Sequence, residues 1–378
     1  MTLTIRSVAS RRDIRRFVTF PWRIYRNDPH WVPPLIASQE ARLDPAANPF
    51  WREAERALWL AERDDQPVGT IAAIVDRPRN RSLGQPIGTF GFFECVDDQA
   101  AARLLFDTAA DWLRSAGMTL MRGPYNPSPA DELGLLIEGY DTRPALLEAH
   151  TPPYYVRLVE AAGFTKYLES MAWLAQAPAD ARSADDVIPP KVARVAEYAR
   201  KRLNPRIRPV SIAEWDAEVR LVCGLYNAAL RHLPDFTPIP EAEFGHFAAS
   251  FRPLLDPDLA LIAEVNGQPA GFALALPDLN EALRHVNGRL WPFGALKLWW
   301  HSRRLSRATF KILTTLPEFQ ERGLGALLVV HVARALWAKG YREADLSLTG
   351  EENEAIQRIL VGLGVRMYRR YRIYERPL

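Results

Sequence analysis

Apolar and polar positions along the chain change period in a fixed order, and that order occurs twice. TIRSV (4–8) reads as a short strand followed by an amphipathic helical stretch, and RIRPV (206–210) opens the same sequence of elements again. Two apolar runs then flank a turn in ALWLAERDDQPVGTIAAIV (57–75) and in LALIAEVNGQPAGFALAL (259–276). The turn residues DDQP and NGQP predict β-hairpins, because Asp, Asn and Gly tolerate the turn backbone. AERDDQPVG (61–69) and AEVNGQPAG (263–271) also share Ala, Glu, Gln, Pro and Gly in register.

Each copy continues with a β-rich run (GTFGFFECV; ATFKILTTL), a long helix ending at Gly (DTAADWLRSAG; HVARALWAKG) and a strand. Each closes with a helix running into Gly and a last strand, YYVRLVEAAGF before YLESMAWLA and AIQRILVGLG before RMYRRYRIYE. One matching hairpin could arise by chance; the matching order of elements points to duplication. At 378 residues the chain has the length for two domains. The pattern places them at 1–177 and 206–378. Between them, 178–205 begins with an Ala-, Asp- and Pro-rich linker and continues as a basic helix, KVARVAEYARKR.

A formal net charge of +3 is too small for general nucleic-acid binding, so no nucleic-acid partner is expected, and charge matters here through its distribution. The two cysteines, Cys95 and Cys223, stand far apart in apolar surroundings and read as buried free thiols. No Ser/His/Asp order, cysteine-nucleophile setting or metal-ligand spacing stands out, which argues against hydrolase and metalloenzyme chemistry. The N-terminus lacks the apolar run of a signal peptide, and no stretch approaches 18 uninterrupted apolar residues. A cytoplasmic protein that does not span a membrane is expected.

The most informative stretch is LTTLPEFQERGLGALLVVHVARAL (313–336). A β-branched strand runs through Gln320, Glu321, Arg322, Gly323, Leu324 and Gly325 into a helix beginning around Ala326. Glycines at this spacing let backbone amides approach a ligand closely, and the helix N-terminus adds its positive dipole end, so the loop can cradle a pyrophosphate. The loop resembles the acyl-CoA-binding motif of the GNAT N-acyltransferase superfamily, Gln/Arg-x-x-Gly-x-Gly/Ala between a strand and a helix; Gln320, Gly323 and Gly325 match it. The element order is also that of a GNAT domain. The resemblance implies an α/β fold of two tandem GNAT-like domains, each a mixed, mostly antiparallel twisted sheet flanked by helices. It implies acyl-CoA as co-substrate at Leu316 and 320–326, with no permanently bound cofactor or metal, and oxyanion stabilisation by backbone amides around Leu316. The first copy has DDQAAARLL (97–105) in place of PEFQERGLG, without glycine and with two aspartates that would repel phosphate. It is therefore expected to supply acceptor contacts or support.

GNAT enzymes often carry an Asn after the fifth strand and, seven residues on, a Tyr that protonates the departing thiolate. Asn353 fits the first position, but Leu360 stands at the second. Tyr368 and Tyr371 in the following strand are the alternative acids, and both also suit strand packing. Amine acylation needs a base. Asp278, after the third strand of the second copy, is the leading candidate, although Pro-Asp-Leu-Asn-Glu also reads as a helix start. Glu264, Glu318 and His285 are weaker candidates. In the first copy, RGPYNPSPADELGLLIEGYD (122–141) is dense with polar groups. There Asn126, Ser128, Asp131 and Glu132 could line an acceptor site or simply serve the turns.

Aligning the copies also isolates an insertion. From hairpin to next strand the first copy needs about a dozen residues and the second about thirty, 278–308. Within it GRLWPFGALKLWWHSRRLSR (288–307) carries Trp291, Trp299, Trp300 and Phe293 among six basic residues, with no acid between Glu281 and Glu318. Such a segment can cover the sheet edge, wall an acyl chain or lie in a membrane interface. With PYNPS, DELGLLIEGYD, PPYY and PDLN in their places, the chain resembles a bacterial group that includes the bacterial ceramide synthases. Those enzymes join a fatty acyl-CoA to the amino group of a sphingoid base. The resemblance implies a long-chain acyl donor, a lipid-like amine acceptor and peripheral contact with the inner face of the inner membrane. The alternatives are acetyl transfer to a soluble amine or peptide, and a non-catalytic acyl-CoA-binding scaffold.

Overall fold

The computed structural model describes residues 2–233 and 236–378. Its first-half strands are β1 (Leu3–Ser7), β2 (Ala54–Arg63), β3 (Gln66–Asp76), β4 (Ile87–Cys95), β5 (Leu120–Gly123), β6 (Tyr125–Asn126), β7 (Glu132–Leu133), β8 (Leu135–Glu138) and β9 (Thr165–Gln176). The second half adds β10 (Arg206–Pro209), β11 (Ala260–Val265), β12 (Gln268–Pro277), β13 (Arg307–Thr315), β14 (Glu343–Gly350) and β15 (Arg366–Pro377). Both expected hairpins form. Arg63 pairs with Gln66 and Val265 with Gln268, and the two-residue turns carry positive φ throughout (Asp64 47°, Asp65 63°; Asn266 53°, Gly267 78°). Each hairpin has its register shift at the same place, Ala61/Glu62 and Ala263/Glu264, so the duplication extends to backbone detail.

Among the described residues thirteen strands form one continuous sheet: twelve run in the order β1-β2-β3-β4-β5-β15-β9-β14-β13-β12-β11-β10, β8 pairs with β15 beside this path, and helices lie on the faces. The units do not separate at the linker. The last strand of the chain, β15, lies between β5 and β9, while β9 of the first copy pairs with β14 of the second. Each copy thus contributes its closing strand to a seam shared with the other. A division into 1–177 and 206–378 describes the repeat but cuts through hydrogen-bonded strands. The basic helix expected as connector, Pro190–Leu203, buries Ala196, Ala199 and Leu203 in one core with helix Leu324–Ala338, so it belongs to the packed second unit.

Helix Gln99–Ser115 buries Ala101, Ala102, Leu105, Phe106, Ala109, Ala110 and Leu113 against the first half of the sheet, at helical spacing. Helix Leu324–Ala338 does the same in the second half with Leu324, Leu327, Leu328 and Leu336. Cys95 and Cys223 are buried and free. Two strand pairs break an otherwise antiparallel sheet: β4 with β5 and β13 with β14 run parallel. Each pair is joined over three residues only, ending at Thr89/Arg122 and Thr309/Asp345, and then parts.

Candidate functional site

Where β13 and β14 part, one edge of β13 is left without a strand partner. The loop that follows is a 3-10 turn, Pro317–Arg322, leading to Gly323 at φ 81° and then helix Leu324–Ala338, whose N-terminus has no side-chain cap. Gly323 is required twice over. Its backbone is left-handed, and a Cβ there would come within 2.9 Å of Val195 Cγ1 and 3.1 Å of Val195 O on the neighbouring helix. Gly325, in the first turn, faces open space, with nothing within 4 Å of where a Cβ would stand. The turn has no side-chain cap and no side chain at Gly325 to hold a ligand off, and a helix N-terminus of this kind suits phosphate. Glu321 and Arg322 are exposed, Leu324 is buried and Ala326 is half-buried. The Gln320 amide nitrogen donates to Ala229 O and Thr315 O, both at 3.4 Å, tying the loop to the end of β13.

The equivalent place in the first copy is closed in two ways. Asp98 caps helix Gln99–Ser115, accepting from Ala100 N at 3.0 Å and Ala101 N at 3.2 Å, and also pairs with Arg63. A carboxylate thus occupies the position a phosphate would need. The gap between β4 and β5 is filled by β6. Asn126 Oδ1 accepts from Phe92 N at 2.6 Å, and a Cβ on Gly91 would lie 1.7 Å from Tyr125 O. Only the second copy keeps both the open strand gap and the free helix terminus.

A cavity of about 810 Å³ lies between the halves. From the second half Lys311, Ile312, Ser347 and Leu348, on the two parting strands, reach it, together with Leu279 and Leu283. From the first half come aromatic and aliphatic groups such as Phe17, Trp31, Phe92 and Leu146. Asn126, Ser128, Asp131 and Glu132 border it too: Asp131 accepts from Ser128 Oγ at 2.8 Å and Glu132 pairs with Arg42 at 3.4 Å. On the side of the cavity formed by the seam, Tyr368 OH lies 3.0 Å from Glu148 Oε2 and 3.1 Å from Asp345 Oδ1, and Tyr371 OH lies 3.2 Å from Glu148 Oε2. Arg369, fully buried, donates from Nε to Tyr371 OH at 2.7 Å and from Nη2 to His150 Nδ1 at 3.0 Å. His150 Nε2 stands 2.8 Å from Asp28. Burial and Arg369 hold the His150 imidazole below its usual pKa, which fits a neutral ring donating to Asp28 and accepting from Arg369.

Several expectations change. Asp278 is fully buried and does not border the cavity. Its Oδ2 accepts from Arg307 Nε at 2.7 Å, and its Oδ1 from Leu146 N at 3.1 Å and Asn280 N at 3.3 Å. Burial raises its pKa and Arg307 opposes that. With both oxygens committed, Asp278 joins the halves and starts the short helix Asn280–Leu283; it is not placed to take a proton from a substrate. Leu316 N–H, expected to face an oxyanion, donates to Ala270 O at 2.9 Å. Strand alternation then turns the N–H groups of Thr315 and Leu313 toward the gap instead. Tyr368 is buried with its hydroxyl held between two carboxyl groups, so it is not a free acid for a thiolate. Asn353 caps helix Glu354–Gly362 through Ile356 N at 3.2 Å. Glu264 pairs with Arg208, Glu318 is exposed, and His285 stacks on His301 at 3.9 Å between ring centres.

The base of the insertion is packed, but its large aromatic side chains lie outside the core and outside the large cavity. Trp291, Phe293, Leu296, Trp299 and Trp300 are 86%, 69%, 63%, 49% and 51% exposed, and none of the three tryptophans borders the large cavity. Arg303 lies over the Trp299 ring at 3.7 Å and Arg304 over Trp300 at 4.7 Å. The segment is anchored at its base, where Ile36 N donates to Gly288 O at 3.0 Å and Trp22 Nε1 to Asn287 Oδ1 at 2.7 Å. No helix among the described residues is long and apolar enough to cross a membrane.

Glu148, Lys311 and Ser347 escaped the sequence reading because they lie far apart in the chain and carry no motif. Backbone strain marks their surroundings. Of the non-glycine residues with positive φ, those other than Asp or Asn are Phe92 (48°), Leu147 (64°) and Ser347 (61°), and all three border the cavity. Such conformations cost about 1–3 kcal/mol each and gather at functional sites.

No family model matches the chain. It is 30% identical to protein YghO of Escherichia coli K12 over 99% of its own length and 95% of that protein. It is 32% identical to the bacterial ceramide synthase of Caulobacter vibrioides over 100% of its length and 98% of that enzyme. Among solved structures, a tandem GNAT protein from the clavulanic acid biosynthesis pathway, without AcCoA, aligns with TM-score 0.58 and 12% identity, covering 100% of this chain and 98% of the other. A GCN5-related N-acetyltransferase from Sphaerobacter thermophilus aligns with TM-score 0.53 and 13% identity, covering 99% and 95%. The whole-length kinship, the doubled hairpin-and-gap architecture and the strand–turn–helix loop agree: this chain belongs to the tandem GNAT acyltransferase family that contains the bacterial ceramide synthase of Caulobacter vibrioides.

Proposed function

We propose that the protein transfers a long-chain acyl group from acyl-CoA to a primary amine of lipid character, with a sphingoid base as the leading acceptor. The observation that carries this reading is the cavity, which opens onto the β13/β14 gap and is walled by aromatic and aliphatic groups from both halves. An acyl chain entering from the gap and an amphiphilic amine can share such a space, and the kinship with a ceramide synthase points the same way. Acyl-CoA would place its pyrophosphate on the amides of 323–326 and its thioester at the parting of β13 and β14. There the outward-turned N–H groups of Leu313 and Thr315 are suited to stabilise an oxyanion. Lys311 Nζ, 3.2 Å from Ser347 Oγ, adds positive charge at that point.

The exposed insertion supports peripheral binding to the anionic inner face of the inner membrane. Its tryptophans and Phe293 would enter the interface while Arg289, Lys297, Arg303 and Arg304 meet lipid phosphates. The deciding experiment is turnover of palmitoyl-CoA and acetyl-CoA with sphinganine, together with mass spectrometry of lipids co-purifying with the protein. Strong preference for palmitoyl-CoA and formation of the N-acyl product are expected. Equal turnover of the two donors would favour acetyl transfer to a soluble amine. Tight CoA binding without thioester consumption across a panel of amines would favour a scaffold, the reading encouraged by Leu360 at the usual Tyr position.

A further inference from the structure

Among the described residues, five carboxyl groups border the cavity: Glu94, Asp131, Glu132, Glu148 and Glu243. Three are occupied. Glu94 accepts from Tyr25 OH at 3.0 Å and Tyr155 OH at 2.6 Å, Asp131 from Ser128, and Glu132 from Arg42. Glu243 lies on helix Glu241–Phe251, where burial and the charges of Asp76, Asp131 and Glu53 raise its pKa to about 7. Of these five, Glu148 alone has a carboxylate oxygen that is both buried and without a hydrogen-bond partner. Its Oε2 is fixed by Tyr368 OH, Tyr371 OH and Ala145 N, while Oε1 is buried without a hydrogen-bond partner. The residue is 6% exposed, and the preceding Leu147 holds a left-handed backbone. A buried carboxylate oxygen left without a donor is costly, and strain beside it adds to the cost.

The position of Glu148 relative to the strand gap is equally specific. One hydroxyl, Tyr368 OH, separates it from Asp345, the last residue of β14 paired to β13. The Tyr368 hydroxyl is within hydrogen-bond distance of both carboxyl groups and links them. Asp345 is fully buried, with Thr309 Oγ1 and Ser347 N donating to its other oxygen. Burial and the charge of Glu148 push the Asp345 pKa up, and Lys311 Nζ, 4.0 Å from Asp345 Oδ2, opposes that.

From this geometry we infer that Glu148, contributed by the first copy, receives the acceptor as an ammonium ion on Oε1 and takes one proton from it. The inference rests on the acyl-transfer reading above. The freed amine lone pair forms the C–N bond at the thioester carbonyl, and the C–S bond breaks. The second nitrogen proton leaves with the CoA thiolate as thiol, and Glu148 returns its proton to solvent. Tyr368 and Tyr371 are positioning residues. In this scheme the half without a CoA loop supplies the group that selects a cation, and the cavity's aliphatic wall takes the acceptor's chain.

The test compares wild type, Glu148→Gln and Glu148→Asp. It measures transfer from palmitoyl-CoA to sphinganine, and separately the binding of n-octylamine and of n-octanol by calorimetry, with CoA affinity as the check on fold and donor site. Glu148→Gln is expected to lose transfer by ~100-fold or more. It should also lose the preference for octylamine over octanol while holding CoA as wild type does, and Glu148→Asp should restore part of both. Octylamine bound no better than octanol by wild type, or Glu148→Gln transferring at near wild-type rate, would overturn the inference. A wild-type protein that binds no CoA would refute the donor reading instead, and the octylamine titration would still decide the role of Glu148.

Discussion

The two loop glycines look equivalent in sequence and are not equivalent in structure, which gives a sharp prediction. Gly325 faces open space, so Gly325→Asp should fold normally while placing a carboxylate where the pyrophosphate would lie. For charges about 5 Å apart at an effective dielectric of about 20, the repulsion is about 3 kcal/mol per unit charge, or roughly 100-fold in affinity. Gly325→Ala adds only a methyl group and should keep CoA affinity within a few-fold. Gly323→Ala should fail differently. The left-handed backbone costs about 1–2 kcal/mol, and the 2.9 Å approach to Val195 Cγ1 adds about 1–3 kcal/mol of overpacking, so the loss appears as stability. Calorimetric titration with CoA and thermal melting, run on all three variants, separate these effects. If Gly325→Asp binds CoA within twofold of wild type at an unchanged Tm, the phosphate site is elsewhere and the reasoning is refuted.

Other expectations follow from the same structure. Asp278→Ala leaves Arg307 buried and unpaired and should cost about 3–5 kcal/mol, read by denaturant unfolding; a loss below about 1 kcal/mol would mean the pair does not hold the halves together. Burial pushes the half-buried Glu94 carboxyl, at the cavity wall, up to about 8. The folded state therefore keeps a proton that the unfolded chain releases. This contribution is full below the unfolded pKa near 4.5 and is lost as pH rises toward about 8, on the order of 4 kcal/mol in all. Glu94→Gln should flatten that decline in melts taken between pH 5 and pH 8; an unchanged slope would count against a neutral Glu94. Replacing Trp291, Trp299 and Trp300 by Ser should leave Tm unchanged, since all three are exposed, and should abolish sedimentation with anionic liposomes. Persistent sedimentation would remove the interfacial role.

Much of the architecture was readable along the chain because it is local. Two-residue turns with Asp-Asp and Asn-Gly dictate hairpins, a fixed order of periods betrays a duplication, and Gln320 to Gly325 carries a glycine-bearing strand-to-helix turn within a few consecutive residues. The insertion, too, was legible as a segment one copy has and the other lacks. Its exposure was not, because the same stripe of tryptophans could face a sheet, an acyl chain or water, and only the packing of residues 286–289 on the segment around Trp22 and Ile36 settles which.

What the tertiary structure decided concerns the pairing of distant parts. The closing strands of both copies carry the expected pattern, but strand pattern is blind to partner, so nothing local says that β15 lies between β5 and β9. That exchange brings Glu148, Asp345 and Tyr368 together from separate stretches of sequence. It also bears on Asp278, whose helix-start motif was visible while its burial against Arg307 and the 143–146 loop was not. Sequence by itself determined the elements, their repetition and the glycine-bearing turn before helix Leu324–Ala338, since each depends on short-range backbone chemistry. Burial and charge state depend on what packs on top of a residue, and for the carboxylates of this protein the sheet shared by the two copies decides that.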